Sequence, residues 1–350
     1  MCTAISYRGL AGRTLDLEYS FGEEVVITPR NWRRNFIFLG ELPTKYAIVG
    51  AAYVHLGEPL YYDALSESGL YMAALNFPGY ANYRAKIGGM INLSSAELIP
   101  YILGMAGSLD EAKKMLRSIN ITPDSIAPDL PITELHWHLT DGRETLVIEP
   151  RENGLQIITN PHNVLTNAPN FAYHTTKIAE FSHISPTNPT ETEENGDIYS
   201  RGMGAIGLPG DYSSSSRFVR AAFLVKNVTE FGSIYPPINK NKNESENVFT
   251  HINEKIGKNK NISPQKRKND VNEATEAYFH IADSVCVPYG AVLTDDGRAV
   301  YTVYTSCADI KGGVYRLTTY HCRTPRMIAL TEEHCSSRKI ERFALFSQEK

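Results

Sequence analysis

Short β-strand patterns, interrupted by Gly, Pro and Asn, recur along most of this 350-residue sequence. Residues 24–28, 46–50 and 145–149 are examples, each rich in apolar or β-branched residues. Helical patterns are fewer: residues 94–102 begin with a capping box, and residues 108–119 place acids early and bases late, as the helix dipole favours. Clusters of strands with helices grouped between them predict an α+β chain, with helices layered on antiparallel sheets.

One segment, residues 236–270, differs in composition from the rest of the chain. It is rich in Asn and Lys, poor in apolar residues, and ends in a basic run at residues 265–268. This composition predicts a solvated, flexible insertion. The basic run also raises the alternative of a nucleic-acid or protein contact, which the interspersed Glu244, Glu246 and Glu254 disfavour.

The charge balance excludes two classes of partner. With 35 basic and 39 acidic residues, the formal net charge of -4 gives no broad attraction to nucleic acid or to anionic membranes. No apolar run approaches the roughly 18 residues of a membrane-spanning helix. The first ten residues lack the basic start and long apolar stretch of a secretory signal, so a cytoplasmic protein is expected.

Four of the five cysteines lie in the last quarter of the chain, which leaves Cys2 isolated. A disulfide framework is not expected from so few cysteines. Cys2 is small enough to allow removal of Met1, and it would then carry a thiol and a free α-amine together. An α-amine titrates near pH ~7.7–8.0, so it can act as the base for its own thiol. The alternative is a small residue that simply opens a strand.

The segment of residues 12–21 is an alternating polar strand that contains Arg13 and Asp16. Regular alternation places these two side chains on opposite faces. If this strand pairs with the first one through residues 7–11, both charges come close to Cys2. An arginine there favours a thiolate, and an aspartate can orient an amine.

Five motifs in order carry a resemblance to the choloylglycine hydrolase family, which contains bile salt hydrolases and penicillin V acylases. They are Met1–Ile5, Gly12–Ser20, Leu75–Gly79, Leu165–Pro169, and Gly207–Tyr212 with Ser216–Phe218, followed by a matching late strand at Tyr304–Cys307. The resemblance extends to about residue 325. It implies one N-terminal-nucleophile hydrolase domain over residues 2–350, a four-layer αββα fold with two antiparallel sheets between helices, and a homotetramer.

The resemblance also implies the roles of individual residues. Cys2 would be the nucleophile and its own amine the base, supported by Arg13 and Asp16. Asn76 and Asn167 would stabilise the tetrahedral oxyanion, and Arg217 would complete the charge network. Without the resemblance, turn residues are the favoured explanation of Asn76 and Asn167. Only Met1 precedes Cys2, so methionine removal would expose the nucleophile, and the reaction needs no metal or cofactor.

The implied substrate is a conjugated bile acid. The resemblance implies asparagine at position 76 in bile salt hydrolases and commonly tyrosine in penicillin V acylases, so Asn76 favours the former. A steroid needs a broad apolar groove. The predicted pocket residues, each of which could equally be core, are Leu15, Phe21, Tyr61, Tyr62, Ile126 and Leu130.

Three other hypotheses remain open. A catalytically silent module that binds bile acids is one, although every motif position carries a residue competent for chemistry. A zinc site is another, suggested by Cys307, His321, Cys322, His334 and Cys335, but their spacing fits no compact Cys-x-x-Cys pair. His136 and His138 could be a ligand pair on one face of a strand, but a packed strand is the favoured explanation.

Overall fold

A computed structural model describes residues 1–188, 201–228 and 264–345, the last range without the side chains of residues 264–270. The strands are β1 Cys2–Tyr7, β2 Leu10–Leu17, β3 Glu24–Thr28, β4 Arg33–Phe36, β5 Gly40–Pro43, β6 Ile48–His55, β7 Glu58–Ser66, β8 Tyr71–Asn76, β9 Ile91–Ser94, β10 Ile119–Thr122, β11 Leu135–Thr140, β12 Thr145–Arg151, β13 Gly154–Thr159, β14 Val164–Leu165, β15 Val292–Leu293, β16 Ala299–Asp309, β17 Val314–Thr319, β18 Arg326–Ala329 and β19 Glu341–Ala344. The helices are α1 Leu98–Met105, α2 Leu109–Leu116, α3 Phe171–Ala179, α4 Ser214–Asn227, α5 Pro264–Asp283 and α6 Glu332–Cys335.

Two large antiparallel sheets form the centre of the molecule. The first sheet has the order β14-β1-β2-β16-β17-β18, and β15 pairs with β16. The second sheet has eight strands in the order β13-β12-β11-β8-β7-β6-β3-β19. Strands β1 and β2 contact β8, so the two sheets pack face to face.

Helices cover the outer face of each sheet. Helices α4 and α5 pack on the first sheet, and α3 packs against α4. Helix α1 lies on β6, β7 and β8 of the second sheet, and α2 contacts β13. This helix-sheet-sheet-helix order confirms the predicted α+β class and its four layers. None of the described helices is long and apolar enough to span a bilayer.

The predicted strands and helices are present, but some of them begin or end at other residues than predicted. Residues 24–28 form β3 and residues 145–149 lie within β12, whereas the strand expected at residue 46 begins at Ile48. Before α1, the Glu97 carboxylate accepts hydrogen bonds from the Ser94 and Ile37 amides, both at 2.8 Å. The prediction of helix to residue 119 was too long, because the chain leaves α2 after Leu116 and Ile119 begins β10.

The predicted insertion at residues 236–270 lies mostly outside the described residues. Only its last part, residues 264–270, is described, and this part forms the beginning of α5.

The predicted hairpin at the start of the chain is confirmed. Strands β1 and β2 are joined at Arg8 and Gly9, whose φ angles of 50° and 82° suit a two-residue type I′ turn. The register pairs Cys2 with Leu15 and Ala4 with Arg13. Because neighbouring residues alternate across a strand, Cys2 and Arg13 share one face of the first sheet.

Strands β2 and β16 approach each other closely at Gly12. A Cβ atom at this position would lie 2.0 Å from the Ser306 carbonyl oxygen and 2.5 Å from the Tyr278 hydroxyl. The carbonyl belongs to the backbone of β16, so it cannot move aside without disturbing the sheet that carries Cys2.

We therefore expect Gly12→Ala to lower the free energy of unfolding by about 1–3 kcal/mol through overpacking. Gly88→Ala is the matched control, because a Cβ there meets no atom within 4 Å. Thermal unfolding of the two variants checks this. Equal midpoints for both variants would contradict the close approach.

Candidate active site

Cys2 opens β1 in the interior of the molecule. Its side chain lies in the larger core cluster, and the residue is 2% exposed. The backbone nitrogen of Cys2 donates to Asn167 Oδ1 at 2.8 Å, and its carbonyl oxygen accepts from Arg217 Nη1 at 2.5 Å. The first backbone atoms of the strand are therefore held by side chains from two distant parts of the chain.

Met1 continues the β1–β2 hairpin by one residue. Its terminal amine donates to the Asp16 carbonyl oxygen at 2.6 Å, and the Asp16 amide donates to the Met1 carbonyl oxygen at 3.0 Å. In the chain that carries Met1, the nitrogen of Cys2 is thus a peptide N–H.

Arg217 is a fully buried cation on α4. Besides Cys2, its guanidinium donates to Thr3 Oγ1 at 2.7 Å, to Asn167 Oδ1 at 2.9 Å and to the Tyr212 carbonyl oxygen at 3.0 Å. Burial lowers the pKa of Arg217, while Asp16 and Cys2 act in the opposite direction. Arginine still remains protonated, so the side chain keeps a positive charge beside the start of β1.

Arg13 lies on the Cys2 face of β2 and is 1% exposed. Its guanidinium donates to the Thr14 carbonyl oxygen at 3.2 Å, to the Tyr62 carbonyl oxygen at 3.1 Å, and to the carbonyl oxygen of Ala74. Burial opposes the charged form, but the neighbouring Cys2, Tyr304 and Asp63 favour it, and the net effect raises the pKa of Arg13. A second permanent positive charge therefore lies near Cys2.

Asp16 is buried on the opposite face of β2 from Arg13, as the alternation predicts. Its carboxylate accepts hydrogen bonds from the hydroxyls of Thr302 at 2.7 Å and Thr14 at 3.1 Å. Sequence reasoning expected this carboxylate to hold the Cys2 nitrogen. In the chain that carries Met1, Asn167 makes that contact instead.

Asn76 and Asn167 meet at the end of β8. Asn167 Nδ2 donates to the Asn76 carbonyl oxygen at 2.9 Å, and the side chain of Asn167 also bridges Cys2 and Arg217 through Oδ1. Asn76 is the last residue of β8 and is exposed. The structure therefore brings all six predicted site residues around the start of β1.

Two residues that sequence reasoning missed hold the backbone of Asn167. The Ser214 hydroxyl accepts from the Asn167 amide at 2.9 Å, and His174 Nε2 lies 2.9 Å from the Asn167 carbonyl oxygen. Burial lowers the pKa of His174, so its ring is neutral and can donate one N–H. Ser214 is the first residue of α4 and lies two residues beyond the Gly207–Tyr212 motif. This proximity to the motif is the sequence signal that could have identified it.

His136 and His138 of β11 are packed strand residues, which agrees with the favoured explanation from the sequence. His138 Nε2 lies 2.7 Å from the Ser6 hydroxyl, and burial lowers the pKa of His138 to about 3. His136 stacks on Phe77, and its Nε2 lies 2.8 Å from the Thr166 carbonyl oxygen. His136 thereby contacts the residue before Asn167.

The predicted pocket residues do not all lie together. Leu15 pairs with Cys2, and the half-buried Tyr62 packs against the core cluster that contains Cys2. Tyr61 does not lie with them: the register of β6 and β7 shifts between Ala51 and Ala52, and this β-bulge turns Tyr61 to the other face of the second sheet. There it joins the core beneath α1 and α2 and bonds the Thr28 hydroxyl at 2.7 Å.

The remaining predicted pocket residues lie in loops. Phe21 is 49% exposed, with its ring 4.8 Å from that of Tyr19. Ile126 and Leu130 are half-buried in a loop that folds on itself, since the Ser125 hydroxyl lies 2.6 Å from the Leu130 carbonyl oxygen. These three side chains are available to line an apolar surface.

The cysteines and histidines considered for zinc are dispersed. Cys307 is buried in β16, Cys322 is exposed, and Cys335 ends α6. Within the described ranges, no group of three or more His, Cys, Asp or Glu side chains is arranged to hold a metal ion.

Several known proteins similar to this chain carry the names of hydrolases of bile salts or conjugated bile acids. The bile salt hydrolase/transferase of Lactiplantibacillus plantarum is 37% identical over 354 residues, covering 99% of this chain and 98% of the relative. The conjugated bile acid hydrolase of Lactobacillus acidophilus is 31% identical, covering 88% of this chain and 89% of the relative.

Solved structures agree with the architecture. A mutant conjugated bile acid hydrolase from Clostridium perfringens matches with a TM-score of 0.80 and 27% identity, covering 98% of this chain and 96% of that one. Penicillin V acylase from Agrobacterium tumefaciens matches with a TM-score of 0.67 at 21% identity, which bears on the fold alone. The family model of linear amide C–N hydrolases, choloylglycine hydrolase family, matches residues 2–253 and 258–342, and the chain belongs to this family.

Proposed function

We propose that this protein hydrolyses the amide bond of glycine- or taurine-conjugated bile acids, with Cys2 as nucleophile after removal of Met1. The observation that carries the proposal is the environment of Cys2: a buried N-terminal thiol residue whose nitrogen bonds Asn167 and whose carbonyl bonds Arg217. The full-length relatives named above supply the substrate class.

Removal of Met1 gives Cys2 both chemical functions that the reaction needs. Its amine, with an ordinary pKa of ~7.7–8.0, is partly neutral near physiological pH and takes the thiol proton. Asn167 Oδ1, which lies 2.8 Å from this nitrogen, then orients the amine. The positive charges of Arg13 and Arg217 favour the thiolate.

The acyl group passes from nitrogen to sulfur and then to oxygen. The Cys2 thiolate attacks the amide carbon, the Cys2 ammonium returns a proton to the departing nitrogen, and glycine or taurine leaves. A water molecule, deprotonated by the same amine, attacks the thioester and releases the free bile acid and the thiol. Each step conserves charge and needs no group beyond water.

The side chains of Asn76 and Asn167 are the proposed oxyanion donors. An amide donor stabilises developing negative charge without itself titrating, and one such donor contributes roughly 3–4 kcal/mol to the transition state. Asn167 Nδ2 uses one of its two hydrogens on the Asn76 carbonyl oxygen. This bond fixes the amide plane and leaves its second N–H for the substrate oxygen.

The steroid is proposed to contact the half-buried Tyr62 next to the thiol, together with Phe21, Ile126 and Leu130 in the loops. Large apolar side chains with partial exposure suit a rigid hydrophobic ligand. The homotetramer implied by the family resemblance and the cytoplasmic location expected from the first ten residues stay predictions, and light scattering of the purified protein tests the first.

We expect purified protein to lack Met1 by intact mass and to release glycine from glycocholate or taurine from taurocholate. Cys2→Ala should abolish this release, because no other group supplies the nucleophile. Cys322→Ala is the matched control: it removes an exposed thiol and should leave turnover unchanged. Clear turnover by Cys2→Ala would rule out Cys2 as the nucleophile. If the wild type has lost Met1 but releases no glycine or taurine, a silent binding module is favoured.

Position 76 is the proposed discriminator between bile salt and penicillin V substrates. Asn76 is exposed at the end of β8, next to the side chain of Asn167. A tyrosine ring at this position would change the surface that meets the acyl group of the substrate. We expect Asn76→Tyr to lower the ratio of glycocholate to penicillin V hydrolysis roughly tenfold, since altering one contact in a substrate pocket changes discrimination by about 1–3 kcal/mol.

Steady-state kinetics with both substrates on the wild type and Asn76→Tyr measure this ratio. An unchanged ratio would sink the assignment of position 76 as the discriminator. Wild-type release mainly from penicillin V would keep the mechanism and move the protein to the acylase branch of the family.

A further inference from the structure

Asp63 is a fully buried carboxylate that the proposed reaction does not use. It lies on β7 and accepts four hydrogen bonds from hydroxyl groups: Tyr304 at 2.6 Å, Ser306 at 2.8 Å, and Tyr71 and Tyr315 at 2.9 Å each. We call these five residues the Asp63 cluster. Tyr304, Ser306 and Tyr315 come from the first sheet, so the cluster joins the two sheets behind the active site.

A carboxylate in this position is costly unless its lone pairs are filled. Three of the four hydroxyls donate to Oδ2 and the fourth, that of Tyr304, donates to Oδ1, so both carboxylate oxygens are hydrogen-bonded. Burial is the dominant effect and raises the pKa of Asp63, although Arg13 and the hydroxyls of Tyr304, Ser306 and Tyr315 act in the opposite direction. An apolar residue would join the sheets at lower cost, which suggests a role beyond packing.

Ser306 connects the Asp63 cluster to Arg13. Thr14 pairs with Thr305, so Arg13 faces Ser306 across the β2–β16 ladder. The Arg13 backbone amide donates to Ser306 Oγ at 3.0 Å, and the Ser306 hydroxyl in turn donates to Asp63 at 2.8 Å. The orientation of the Ser306 hydroxyl is therefore fixed from both sides.

The neighbouring residue on β7 holds the other end of Arg13. The Tyr62 carbonyl oxygen accepts from Arg13 Nη1 at 3.1 Å, and Tyr62 directly precedes Asp63. Two neighbouring residues of β7 therefore hold Arg13 at two points. Asp63 reaches the backbone amide of Arg13 through the Ser306 hydroxyl, and the Tyr62 carbonyl oxygen accepts from the Arg13 guanidinium. A shift of Asp63 would displace Arg13 relative to Cys2.

We propose that Ser306 and Asp63 are positioning residues that act through Arg13, holding its guanidinium where it favours the Cys2 thiolate. The inference rests on the proposed function in taking Cys2 as the nucleophile. Neither residue needs to touch the substrate.

Ser306→Ala tests this without changing any charge. It removes the hydroxyl between Arg13 and Asp63, so Arg13 is held less firmly and the Cys2 thiol becomes harder to ionise. The measurement is the rate of iodoacetamide alkylation of Cys2 against pH, followed by the mass of the N-terminal tryptic peptide. We expect the pH midpoint of Cys2 alkylation to lie roughly half to one pH unit higher in Ser306→Ala than in the wild type. This is a fraction of the pKa shift that a neighbouring cation causes.

Tyr71→Phe is the matched control. It removes another hydroxyl from the same carboxylate but leaves the Arg13–Ser306–Asp63 chain intact. Its alkylation midpoint should stay at the wild-type value. An unchanged midpoint in Ser306→Ala, or an equal rise in both variants, would overturn the proposal and leave the cluster a connection between sheets only.

Asp63→Asn tests the other end of the chain. With glycocholate we expect kcat to fall at least about tenfold with KM little changed, and the double variant with Ser306→Ala to be no slower, because residues acting as a unit are not additive. Additive losses would overturn the proposal. If Asp63→Asn does not fold, Ser306→Ala alone decides. The alkylation assay needs no bile salt. If the alkylation midpoint of Ser306→Ala rises while the wild type hydrolyses no conjugated bile acid, the proposed function is rejected and this inference is kept.

Discussion

The burial of Arg217 is the constraint on which the active site depends. A guanidinium removed from water costs several kcal/mol unless acceptors surround it, and in this chain the acceptors come from β1, the Asn167 loop and the turn before α4. These segments lie far apart in the sequence, and one side chain brings them together. The position of Cys2 is thus set by the requirement to satisfy a cation rather than by the strand alone.

The two faces of the β1–β2 hairpin have different roles in the site. Thr3 and Asp16 lie on the face that meets α4, where Arg217 fixes the backbone at the start of β1. Cys2 and Arg13 lie on the other face, between the sheets, where the second sheet supplies the carbonyl groups that hold Arg13. One face fixes the backbone of the proposed nucleophile, Cys2, and the other face sets its electrostatic surroundings.

Strand periodicity and the turn between β1 and β2 act locally, so the α+β class and the first hairpin were accessible from the sequence. The grouping of Asn76, Asn167 and Arg217 with Cys2 joins distant segments, and it was predicted only through the family resemblance that the ordered motifs carry. Periodicity could not reveal the Asp63 cluster, whose members come from four strands of two sheets. Loop resemblance misplaced Tyr61, because it takes no account of the β-bulge that turns this residue of β7 to the other face of the second sheet.

The proposed maturation requires a change of chemistry but little change of shape. With Met1 attached, the nitrogen of Cys2 already lies 2.8 Å from Asn167 Oδ1, and the Cys2 carbonyl oxygen is already bound by Arg217. Removing Met1 converts an amide nitrogen, which cannot accept a proton, into an amine that can. It also frees the Asp16 carbonyl and amide groups that Met1 had paired. Met1 therefore blocks the proposed base through its peptide bond, while the rest of the site is assembled before the methionine leaves.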